Sequence, residues 1–177
     1  MCLVFRGNSV HQVGFGHPKV LEAVREQIDI FSFCPRRFTN KPAIRLAERL
    51  IELSAKGLDK VLFAPGGTGA IGIALKIARS VTGRFKTISM WDSFHGASLD
   101  AISLGGEALF RKNAGPLLPG TEHVPPPNSS ACPFDCNGTC NLKCADYVEY
   151  VLEKEGDVAA VISESISSVP YFPPVEY

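Results

Sequence analysis

The sequence predicts an α/β fold in which a mostly parallel sheet is covered by helices. Three observations lead there. Short segments at 61–64, 86–90 and 158–162, the first and last of them apolar runs, have the length of buried strands. Helical patterns separate them, and strands alternating with helices build parallel sheets covered on both faces. Finally, Gly66-Gly67-Thr68-Gly69 stands at a strand-to-helix junction, where open α/β sheets gather their ligands.

In chain order, residues 18–28 form a helix with Val20, Leu21, Val24 and Ile28 on one face and Pro18 in the first turn. Residues 42–53 repeat the device, with Asn40 as cap and Ile44, Ala47, Leu50 and Ile51 as the stripe. An irregular basic connection carrying Arg36 and Arg37 joins the two. The strand at 61–64, the glycines and a helix over 69–79 follow. After the strand at 86–90 comes a short helix over 98–104. Residues 113–143 are a long connection rich in proline, glycine and cysteine, a length that signals function or a local staple. A helix over 145–155 leads to the last strand. The expected organisation is an N-terminal helical segment, 1–57, before the front part of a larger sheet domain, 58–177, which carries a cysteine-rich loop at 113–144.

The 177 residues suffice for one domain with a real core. Lysine plus arginine and aspartate plus glutamate balance at 18 each, which argues against a nucleic-acid or anionic-membrane partner. No apolar run approaches the ~20 residues that span a bilayer, and the apolar start is too short for a signal peptide. The expected location is the cytosol, where cysteines are reduced thiols or metal ligands.

The glycine loop is a phosphate cradle, because glycines let backbone approach an anion and a helix start offers free amides and a positive dipole end. Two readings follow. In the first, Gly66, Gly69 and Gly72 form a dinucleotide fingerprint of an NAD(P)-binding reductase, with Asp92 about 20 residues on as the ribose-binding acid. Against it, such a fingerprint opens its domain, whereas well-patterned helices precede this one. In the second, the loop holds the phosphate of pyridoxal 5'-phosphate (PLP). That cofactor also needs a flat surface over its ring, a carboxylate by the ring nitrogen and a lysine for a Schiff base. Phe94 offers the surface, and both Phe94 and Glu164 follow the C-terminal ends of strands, at the ligand edge.

The motifs then resemble a known family. Gly66-Gly67-Thr68 followed by Ala74-Leu75-Lys76-Ile77-Ala78-Arg79 is similar to the glycine-loop helix of class III PLP-dependent aminotransferases. Phe94-His95-Gly96 resembles their aromatic-His-Gly segment, and Val161-Ile162-Ser163-Glu164 their V-I-x-E-P segment. Asn8 to Pro18 resembles their opening. The resemblance implies the fold type I transferase architecture, present here as a partial large domain. It implies PLP as cofactor, with Gly67 and Thr68 at the phosphate, Phe94 stacked on the ring, and His95 and Glu164 ordering the pocket. It further implies a small amine or amino acid substrate, Schiff-base chemistry and a homodimer. Ile71-Gly72 departs from the family's Asn-Glu, and Ser165 and Ser167 from its later pattern. The branch with N-x-V-H-Q-V-G and P-G-G-T includes enzymes that eliminate ammonia from aminophosphonates. For such an anion Arg36 and Arg37 are candidate binders, since guanidinium pairs bidentately with phosphonate or carboxylate. In the family, the Schiff-base lysine and the ring-nitrogen aspartate lie downstream of the V-I-x-E segment. None of the nine lysines here matches that position, so this chain is expected to be an N-terminal part that is inactive by itself.

Cys132, Cys136, Cys140 and Cys144 repeat at every fourth position. Four thiols can hold zinc tetrahedrally, as in a metal-stapled binding module, although structural zinc sites favour tighter knuckles. The alternative is four reduced, half-buried thiols.

Overall fold

A computed structural model describes residues 12–35, 37–136 and 140–166. The chain divides into two compact units, Met1–Leu62 and Phe63–Tyr177. The first carries α1, Pro18–Ile30, and α2, Lys41–Leu53. Pro18 begins α1, where a missing N–H costs nothing. Asn40 caps α2 as expected, its Oδ1 accepting the Ala43 N–H at 2.9 Å. The apolar stripes lie where the spacing puts them, yet neither helix buries a residue. Val24 and Ile28 stay half exposed or more, at 50% and 58%. Amphipathic spacing fixes which face wants cover; it does not supply the cover. Apolar patches of this kind drive association. The isolated chain is therefore expected to bind a hydrophobic dye strongly, which dye fluorescence would read.

The second unit runs α3, Gly67–Thr82; β1, Lys86–Met90; α4, Leu99–Leu104; α5, Ala108–Arg111; β2, Thr121–Val124; α6, Lys143–Glu155; and β3, Val158–Ile162. β1 lies between β2 and β3, parallel to both. Two expectations need correction. Residues 61–64 form no strand, because a strand exists only by pairing and no described strand lies beside them; Leu62 is 54% exposed. Conversely, the connection over 113–143 contains β2. Its four residues are too few to show alternation among the surrounding prolines.

β1 also departs from the expected strand that is apolar on both faces. Ile88 and Met90 point to one side and join Val124 and Val158 in the core, under Val148 and Val151 of α6. Thr87 and Ser89 point to the other side and are just as buried. Burial of those hydroxyls is tolerable because each is hydrogen-bonded. Thr87 Oγ1 lies 3.1 Å from Thr121 Oγ1 on the neighbouring strand, and Ser89 meets a network described below. No helix among the described residues is long and apolar enough to cross a membrane.

Candidate functional site

The parallel pairing sets Ser89 beside Ile162, so the segments after β1 and β3 leave the sheet at one edge. There the Phe94 N–H donates to Glu164 Oε1 at 2.8 Å. A carboxylate accepting a backbone amide makes a strong bond, and it pins the turn that carries the Phe94 ring. That ring is 37% exposed and rests at 4.3 Å, tilted, against Phe110 of α5.

Two residues on, Gly96 has φ +133, a conformation that side chains rarely adopt. A Cβ at Gly96 would overlap the Thr68 hydroxyl and lie 2.9 Å from Thr68 Cβ. The aromatic-His-Gly turn thus packs directly on the glycine loop. α3 starts at Gly67, and its first internal bond is Ala70 N–H to the Gly66 carbonyl, 2.9 Å. The amides of Gly67, Thr68 and Gly69 precede that bond, at the positive end of the helix. A Cβ at Gly66 or Gly67 would meet nothing within 4 Å. Open space beside free amides is what a phosphate needs, so the residues present fit one.

His95 is held from below. Ser93 Oγ donates to the Met90 carbonyl at 2.6 Å and so receives from Ser89 Oγ at 3.3 Å. Ser89, its own proton committed, accepts from His95 Nε2 at 3.2 Å. The chain of donors assigns the proton to Nε2. Burial pushes the His95 pKa below its ordinary value, partly offset by Glu164, with His123 adding to the lowering. A neutral imidazole tied down in this way positions the turn beside Phe94. Burial likewise lowers the pKa of His123, whose Nε2 lies 3.1 Å from the Leu104 carbonyl and whose ring stacks on Trp91 at 4.6 Å. Histidines held neutral contribute stability that is present above their unfolded pKa and lost as pH falls below it toward the folded value. The urea midpoint should therefore be flat above about pH 7 and decline below about pH 6.5, with His123→Asn reducing the decline. A midpoint unchanged over that range would contradict the assignment.

Four of the site residues expected from sequence, Thr68, Phe94, His95 and Glu164, are linked by these contacts, and Gly67 adjoins Thr68. The serines of the network and Phe110 carry no signal in the sequence beyond an ordinary polar or apolar pattern. Asp92 occupies an exposed left-handed turn, φ 60, after β1. At Gly72 a Cβ would stand 2.8 Å from the Asp100 carboxylate of α4, the end of a side chain that can move aside. Arg36 lies outside the described residues. Arg37, in the first unit, places its guanidinium 5.5 Å from the Phe38 ring centroid. Among the described residues no three metal-ligating side chains gather as a metal site requires. Of the four cysteines, Cys132 and Cys136 have their sulfurs 3.1 Å apart.

The class-III aminotransferase family profile matches residues 4–170. Among curated proteins, the chain is 50% identical to the (R)-1-hydroxy-2-aminoethylphosphonate ammonia-lyase of Vibrio splendidus, over 92% of this chain and 37% of that one. It is 39% identical to the acetylornithine aminotransferase of Methanopyrus kandleri, over 67% of this chain and 31% of that one. Among solved structures, a PLP-bound amine transaminase from an uncultivated Pseudomonas species matches with a TM-score of 0.85 at 28% identity, over 93% of this chain and 40% of that one. The chain thus spans well under half the length of these relatives.

Proposed function

Because the chain belongs to the class-III aminotransferase family, we propose that residues 58–177 form the front part of a PLP-binding large domain, preceded by the segment 1–57. The fold is that of PLP-dependent transaminases, and the nucleotide-reductase alternative falls with the family match. Two contacts carry the site: the Glu164 bond to the Phe94 amide and the Gly96–Thr68 approach bring three separate motifs together. When bound, PLP supplies an electron sink for charge developing at the substrate carbon that bears nitrogen. The chain's own residues do the holding. Gly67 and Thr68 offer amides to the phosphate, Phe94 presents its ring face and excludes water from one side of the cofactor, and Glu164 and His95 fix Phe94 in place.

Replacing Phe94 with alanine should weaken cofactor binding by ~1–2 kcal/mol through lost burial and stacking. Unchanged affinity in calorimetry would remove Phe94 from the site.

For the whole protein we propose amino-group transfer from a small amine or amino acid, acting in the cytosol as a homodimer. The 50% identity to an aminophosphonate ammonia-lyase favours a second reading, elimination of ammonia from an aminophosphonate. Arg36 and Arg37 would then hold the phosphonate. None of the nine lysines, Lys19, Lys41, Lys56, Lys60, Lys76, Lys86, Lys112, Lys143 and Lys154, stands where the resemblance sets the cofactor-linking lysine. Residues 1–177 should therefore bind cofactor without turnover. An assay of the complete protein with an aminophosphonate separates the two reactions. Ammonia released without a 2-oxo acid acceptor means elimination, and product formed only with the acceptor means transfer. Neither product, with any amine tested, would overturn both.

A further inference from the structure

The cysteines beyond β2 take no part in the site above. Cys132 opens a turn closed by the Asp135 N–H to the Cys132 carbonyl at 3.2 Å, and Asp135 takes the left-handed φ of 62. That turn folds the chain back and brings Cys136 Sγ to 3.1 Å from Cys132 Sγ. Both are free thiols. A disulfide bond measures about 2.05 Å, so an approach of roughly 1 Å would close one. The two thiols differ. Cys136 is buried, and its Sγ also reaches Asn141 Oδ1 at 3.3 Å; Cys132 is half-buried.

We propose that Cys132 and Cys136 are a reversible thiol–disulfide pair, with Cys132 as the entering thiol and a small-molecule disulfide of the glutathione class as oxidant. In the first step the Cys132 thiolate attacks one sulfur of glutathione disulfide. A mixed disulfide forms, and one glutathione thiolate leaves and takes up the proton that Cys132 released. In the second step the Cys136 thiolate attacks the Cys132 sulfur, and the second glutathione leaves with the Cys136 proton. Two protein thiols are oxidised and one disulfide is reduced to two thiols. The order follows from access and acidity. A hydrogen bond from Cys136, with backbone bonds and the Lys143 ammonium, holds the Cys132 thiol below its ordinary pKa, against some opposing desolvation. The hydrogen bond to Cys132 pushes Cys136 up. The more acidic, more accessible thiol is the one that enters exchange first.

The test treats the reduced 177-residue chain, unlabelled and folded, with glutathione disulfide, blocks remaining thiols and maps peptides by mass spectrometry. The expected product joins Cys132 to Cys136 with loss of two hydrogens, while Cys144 stays blocked as a free thiol. Cys136→Ser should stop at glutathione on Cys132, and Cys132→Ser should slow glutathione entry at Cys136 at least tenfold. A folded wild-type chain that forms no 132–136 bond under excess oxidant would overturn the pair. So would a bond from either residue to Cys140 or Cys144, or alkylation of Cys132 no faster than that of buried Cys144.

Discussion

Gly67→Leu is expected to weaken binding of pyridoxamine phosphate about a hundredfold or more while leaving the fold intact. The two halves of that result come from one fact, that a Cβ at Gly67 would meet no protein atom within 4 Å. The first carbon of the leucine side chain therefore meets no protein atom, and the bulk beyond it is expected to compete with a phosphate for the space beside the first-turn amides. Charge-assisted hydrogen bonds contribute ~1.5–3 kcal/mol each, so shutting out the phosphate from two of them should cost about a hundredfold or more in affinity. Circular dichroism and the urea midpoint should match those of the wild type. Full affinity in the variant would show that the phosphate lies elsewhere.

Gly96→Ala should act in the opposite way, through the fold. The substitution forces a side chain onto φ +133 and drives its Cβ into Thr68. Backbone strain of this kind costs ~1–3 kcal/mol and overpacking adds a similar amount, so a loss of about 2–6 kcal/mol is expected in urea unfolding. Adding Thr68→Gly removes the overlap but not the strain, and should return only part of the loss. If the single variant unfolds like the wild type, the aromatic-His-Gly turn does not pack on the glycine loop.

What the sequence made legible follows what each element needs. β3 is an apolar run and β1 alternates Ile88 and Met90 with Thr87 and Ser89, and their bounds at 86–90 and 158–162 stand as expected. Helix α3 begins two residues before its expected start, at Gly67, since glycine is a poor guide to where a helix begins. β2 escaped because Thr121–Val124 gains its strand character from pairing with β1, which no local pattern announces. The run at 61–64 has the pattern and lacks the pairing. The same division holds in the site. Phe94, His95 and Glu164 were readable as motifs. The Glu164 bond to the Phe94 amide spans 70 residues, and the Gly96–Thr68 approach is a tertiary fact, so neither was visible. Ser89 and Ser93 looked like ordinary polar residues at a strand and a turn. Only their hydrogen bonds make them the support of His95.

The phosphate of the cofactor is proposed to bind the glycine loop at the start of α3, and one titration tests this directly. Pyridoxamine phosphate is the right probe, because as an amine it cannot react with exposed lysines as an aldehyde would. Calorimetric titration of the chain with pyridoxamine phosphate and with pyridoxamine isolates the phosphate's contribution. A phosphate held by the loop gives saturable binding of the phosphorylated form and affinity at least about a hundredfold weaker for the other, as two charge-assisted hydrogen bonds require. Equal affinity for the two compounds would contradict it.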